Sequence, residues 1–164
     1  MYASENHADQ WVSNKDLIVC EGNIINLLLV EQLLDKLVED YDVKVVAFDR
    51  HQGLQMMNIM SERGVPVASV SFGKQLSETS KDLRSKIYSE GIGQSGNKVA
   101  RWCFESAQVK TFYDETIVVK RVDRDKEKKR VDAVHSAILA LDRYIFQVEE
   151  HGPVFGVFSS KDFD

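Results

Sequence analysis

The chain has 164 residues, 43% of them hydrophobic and 29% charged, with a formal net charge of −5. That is enough for one soluble globular domain with a real core, and the acidic balance leaves phosphate contacts to local basic loops or metal ions. Cys20 and Cys103 lie far apart, form no metal-ligand spacing and exclude a disulfide framework, so they read as reduced thiols of a cytosolic protein.

The first dozen residues are polar, carry no periodic signal and lack the basic and apolar regions of a secretory leader. Leu17-Ile18-Val19-Cys20 predicts a short strand. The apolar run Ile24 to Val30, interrupted by Asn26, is too short to span a membrane. After the Gly22-Asn23 turn, Val30, Leu33, Leu34, Leu37 and Tyr41 follow the helical period. An apolar strand, Val43 to Phe48, ends at Asp49. A Met-rich helix from about Gln52 to Arg63 stops at Gly64, and Val65 to Val70 is a second strand with Pro66 near its beginning. That strand-helix-strand unit has the length of a right-handed parallel crossover.

A helix over about Ser77 to Ser89 is expected to be capped by Gly91. The glycine-rich loop Gly91 to Gly96 leads into a short helix carrying Val99, Trp102 and Cys103. Val109 to Tyr113 and Thr116 to Lys120 flank Asp114-Glu115 as a hairpin. The last helix, about Arg130 to Phe146, is expected to bury Val131, Val134, Ile138, Leu141 and Ile145. The tail from Val148 has no strong pattern, and there is no internal repeat or linker.

Two carboxylates stand out. Asp49 leaves a strand expected to be buried on both faces, at the carboxyl end where ligand sites of open α/β sheets gather. A turn-forming aspartate at a strand exit is the plainer alternative. Asp132 falls in the first turn of its helix, where the macrodipole favours a negative charge with or without a ligand. Together they could converge on one metal ion. His135 shares the face of Asp132 and could touch a phosphate or a water, or simply pack; His51 offers the same choice beside Asp49.

The segment Lys120 to Arg130 is locally basic and immediately precedes Asp132. Lys120, Arg121, Arg124, Lys128, Lys129 and Arg130 could grip a DNA backbone, or form an ordinary solvated loop. Gly91-Ile-Gly93-Gln-Ser-Gly96 matches a dinucleotide fingerprint in letters but follows a helix, and Asn97 separates Gly96 from Lys98, so no phosphate loop is intact. The serine-rich stretch Ser69 to Ser80 lacks a nucleophile elbow.

Taken together, several landmarks resemble the C-terminal nuclease domain of tailed-phage terminase large subunits: Trp11 and Gly22-Asn23; Val45-Val46-Ala47-Phe48-Asp49-Arg50; Leu76-Ser77; Asn97 with Trp102; and Arg130-Val131-Asp132-Ala133 with Ala137 and Ala140-Leu141-Asp142-Arg143. The match covers about residues 10 to 146 and treats 1–164 as one partial nuclease domain. The resemblance implies a ribonuclease H-like α/β fold, a mixed sheet flanked by helices. It implies cleavage of concatemeric viral DNA during genome packaging, with three acidic residues holding two Mg2+ or Mn2+ ions. Asp49 would be the second acid and Asp132 the third; beside them, His135 is the candidate auxiliary of the residue reading. The implied partners are double-stranded DNA, an upstream terminase segment or ATPase domain, the small terminase subunit and the portal, in the bacterial host cytoplasm and with no membrane.

The sequence departs from that pattern at the first acid. Asp9 is the nearest carboxylate, just before Trp11 and without an apolar strand; Ser106 stands where asparagine is common; no ATPase motif is present. The chain therefore reads as the distal part of a terminase, as from a split or decayed prophage gene. Without the family's first strand, Leu17 to Cys20 loses its route into the sheet and the Asp49 strand shows an open edge. Poor autonomous stability is expected unless an upstream polypeptide completes the sheet. The rival readings are a catalytically inactive remnant or docking subunit, binding metal no better than about millimolar, and another ribonuclease H-like nuclease of resolvase or transposase type. A plain nucleotide-binding protein comes third.

Overall fold

The structure, a computed structural model, describes residues 5–51, 53–121 and 129–151. It opens with a helix that the polar N-terminal sequence does not announce, α1 (Glu5–Ser13). Its anchor is Trp11, which is buried and lies 5.4 Å from the ring of Trp102. The N–H groups of Asp16 and Leu17 donate back to the Trp11 carbonyl, at 2.8 and 3.1 Å, and turn the chain away from the helix. Leu17 to Cys20 then runs as irregular backbone rather than the expected strand, with Ile18 and Val19 exposed. No neighbouring strand among the described residues takes its backbone groups.

The next helix, α2 (Leu27–Asp40), starts at Asn26, whose side chain accepts the Leu28 N–H at 3.0 Å. Its apolar stripe is real but unburied: no α2 residue is buried, and Leu37 is 48% exposed. Arg63 holds α2 in place by pairing with Glu31 and Asp35, one turn apart.

Strands β1 (Val46–Asp49) and β2 (Val67–Val70) pair in parallel, Val46 with Val67 through Asp49 with Val70, joined through α3 (Leu54–Glu62) as the strand-helix-strand pattern predicts. Met56 and Met60 bury the inner face of α3. After a short 3-10 turn comes α4 (Ser77–Tyr88). Its cap is shifted from the expected glycine: Glu90 takes the left-handed conformation at φ 54°, and Gly91 donates to the Lys86 carbonyl at 2.8 Å as the following residue of a Schellman motif.

Helix α5 (Lys98–Glu105) begins at Asn97, which accepts the Ala100 N–H at 2.8 Å and donates through Nδ2 to the Asp16 carbonyl at 3.2 Å. One side chain thus starts α5 and pins the exit of α1. The expected hairpin is present as β3 (Ala107–Thr111) and β4 (Ile117–Arg121), antiparallel. The last helix is α6 (Asp132–His151). Val131, Val134 and Ile138 are buried as expected and Leu139 joins them, whereas Leu141 and Ile145 are half-buried.

The single mixed sheet of the sequence reading is not what forms among the described residues: β1–β2 and β3–β4 are separate two-stranded sheets. The core links them instead. Val70, Leu76, Leu83, Cys103, Val134, Ile138 and Leu139 make one buried cluster, with Phe72, Trp102 and Val119 packed against it. Two buried hydroxyls fix the assembly. Ser77 Oγ accepts the Ile117 N–H at 2.9 Å, tying α4 to β4, and Thr79 Oγ1 donates to Asp142 at 3.1 Å, tying α4 to α6.

The hairpin turn carries a titratable marker. Asp114 accepts from Lys74 Nζ at 2.8 Å and from Thr116 Oγ1 at 2.6 Å, which holds its carboxyl at about 2 rather than the ordinary 3.8. Because the folded value is the lower one, the stabilisation is complete above pH 3.8 and is lost as pH falls through about 2. Carboxyl NMR titration should place Asp114 near that value, and Lys74→Met should move it back upward; an unmoved midpoint would remove Lys74 as the main cause.

Candidate active site

At the carboxyl end of β1, a cleft of about 550 Å³ opens between the strand and the start of α6. Asp49, Arg121, Arg130, Asp132 and His135 all line it, with Phe48 and Phe72 among its apolar walls. Residues 83 positions apart in sequence meet here because α6 runs back along β1 and begins where β1 ends.

Asp49 is the last residue of β1 and is half-buried. Its Oδ1 accepts the His51 N–H at 2.7 Å, the hydrogen bond of a turn-forming aspartate. Its carbonyl accepts the Gly53 N–H at 2.8 Å. Gly53 is a site residue that sequence reading passed over. A Cβ there would stand 2.6 Å from Phe48 Cβ and 2.9 Å from the Asp49 carbonyl oxygen, so only glycine lets the backbone close behind the carboxylate. Gly53→Ala should cost about 1–3 kcal/mol by urea unfolding; a change within 0.3 kcal/mol, roughly the scatter between independent sites, would show that the turn gives way freely.

Asp132 is the first residue of α6, and its side chain is exposed. Buried Val131 and Val134 fix the helix start on either side of it. His135, one turn on, lines the cleft and packs within the fold. Its ring lies 4.4 Å from that of Phe72, and Nε2–H donates to the Val119 carbonyl at 3.3 Å. When neutral, that contact leaves the ring's lone pair on Nδ1. Cys103 packs beneath the start of α6; burial pushes its thiol up, against the opposing pull of the Ala133 and Asp132 N–H groups.

Several other sequence-predicted residues stand apart. His51 is exposed and does not line the cleft; it contributes its backbone N–H, not its ring. Asp9 lies in a different, shallow groove beside Lys98. Lys120 is exposed on β4, Lys129 is half-buried, and neither lines the cleft; Arg124 and Lys128 lie outside the described residues.

The donor set decides what metal could sit here. Two carboxylates suit one hard, largely hydrated cation. Among the described residues no group of three or more His, Cys, Asp or Glu is placed to hold a metal ion, so the pair does not complete a two-cation centre. Two guanidiniums share the cleft with them. No helix among the described residues is long and apolar enough to cross a membrane.

These elements pack as an α/β domain whose fold is similar to part of a phage large terminase. Among solved structures, it is similar to the large terminase of bacteriophage HK97, with a TM-score of 0.71 over 82% of this chain at 19% identity. The chain spans 28% of that protein's length. No family model and no curated protein matches the sequence.

Proposed function

We propose that this domain is a nuclease module of the phage packaging terminase type, with a ribonuclease H-like fold, acting on double-stranded DNA. The observation that carries the proposal is the convergence of Asp49 and Asp132 on one cleft with Arg121, Arg130 and His135. Asp49 and Asp132 would hold a hydrated Mg2+ or Mn2+, which when bound supplies charge stabilisation at a phosphodiester and a more acidic water. Arg121 and Arg130, which line the same cleft, would pair with phosphate oxygens, for which the guanidinium fork is suited. His135, held by Val119, can offer Nδ1 to a water or a phosphate oxygen. The remaining terminase parts, ATPase domain, small subunit and portal, would be its partners.

A second reading, a DNA-docking remnant without cleavage, is favoured by the two-carboxylate donor set. Supercoiled plasmid incubated with the purified chain and Mg2+ or Mn2+ separates the two. Nicking supports the nuclease. A folded chain that retards DNA without nicking it would replace that reading with the docking one.

A further inference from the structure

Two apolar features away from the cleft are open to solvent. The first is the stripe of α2, where Leu33 and Leu37 are exposed. Four residues apart, they share one helix face, and Asp40 follows one turn beyond Leu37. Of the acids on α2, Glu31 and Asp35 are held by Arg63. Glu39 and Asp40 are exposed at the C-terminal end, where the helix dipole is also negative, and Lys36 is the one opposing charge on the helix.

The second is a pocket of about 270 Å³ lined by Leu83 and Ile87 of α4 and by Ala100, Arg101 and Phe104 of α5. The loop residues Ile92, Gly93 and Gln94 complete its lining. Leu83 is buried, whereas Ile87 and Ile92 are exposed. Its charged lining residue is Arg101, which is exposed and makes no ion pair among the described residues. The volume falls short of the roughly 300–1,000 Å³ of small-molecule sites and suits one or two large apolar side chains. The two features match in chemistry: α2 offers leucines beside a carboxylate, and the pocket offers apolar walls beside a guanidinium. They do not meet within one chain, because Arg63 ties α2 to the C-terminal end of α3 and no α2 residue lines the pocket. A contact between them therefore joins two copies head to tail, each giving its α2 and receiving through its pocket.

We propose that a second copy of this chain docks on the pocket between α4 and α5, its α2 seating Leu37 there with Asp40 paired to Arg101. Sedimentation velocity of the full chain from about 1 μM to about 1 mM tests it. The sedimentation coefficient should rise with concentration. Leu37→Glu, which carries a charge into an apolar pocket, should weaken the association at least about 100-fold. Arg101→Glu alone and Asp40→Arg alone should each weaken it at least about tenfold, through contact of like charges. Joined in one chain, the two reversals restore an opposite pair at every contact and should return association to within about threefold of the original. If Leu37→Glu does not fold, Ile92→Glu, exposed on the pocket side, takes its place. A chain that stays monomeric over the whole range overturns the proposal. So does association that Leu37→Glu or Ile92→Glu leaves unchanged, which would assign it to another surface. A double reversal no better than the single ones overturns it as well, because Asp40 and Arg101 would then not be partners.

Discussion

Asp49→Asn and Asp132→Asn are each expected to lower metal-dependent plasmid nicking by roughly 10³-fold. If these carboxylates hold the cation as proposed, losing one removes several kcal/mol of charge stabilisation, at about 1.36 kcal/mol per factor of ten. Asparagine is the informative replacement. At position 49 it keeps an oxygen to accept the His51 N–H, so the turn behind the site survives. At position 132 it loses a favourable charge at the start of α6, costing about 0.3–1 kcal/mol. Nicking rates would be read beside urea unfolding, with Asp9→Asn, which lies in a different groove, as the unaffected control. Retention of activity within about threefold, under 1 kcal/mol of barrier, in either variant would withdraw that residue from the site.

Ile138→Ala should destabilise the domain by about 2–5 kcal/mol, read as a fall in the urea midpoint. Ile138 is 2% exposed and belongs to the cluster that joins α4, α5, α6 and the strands, where a vacated volume has little freedom to collapse. Leu37→Ala makes the contrast. Leu37 lies on the apolar stripe of α2 yet is 48% exposed, so in the isolated chain its truncation should stay within about 0.5 kcal/mol. A loss at Leu37 as large as at Ile138 would mean that something in solution covers α2.

That contrast also shows where sequence and structure part. The heptad-like spacing of Leu33 and Leu37 identifies a helix correctly but cannot say whether a partner exists to cover the stripe. Val46 to Asp49, Val67 to Val70 and the hairpin around Asp114 were legible because alternation, apolar runs and turn residues act locally. The strand expected at Leu17 to Cys20 failed because a strand needs a neighbour, and propensity carries no information about one. α1 was hidden for the opposite reason: its buried anchor, Trp11, finds Trp102 across more than half the chain. At the cleft, Asp49, Asp132, His135, Arg121 and Arg130 were all named from local pattern. Gly53 was not, since its necessity arises only from the closeness of Phe48 in space.

The pairing of Trp11 with Trp102 makes the chain its own optical probe. Both of its tryptophans sit in that single contact, at the seam between the N-terminal helix and α5. Tryptophan emission will therefore report whether α1 is seated against α5. A shift in that signal locates the disturbance at this seam or in the core cluster against which Trp102 packs.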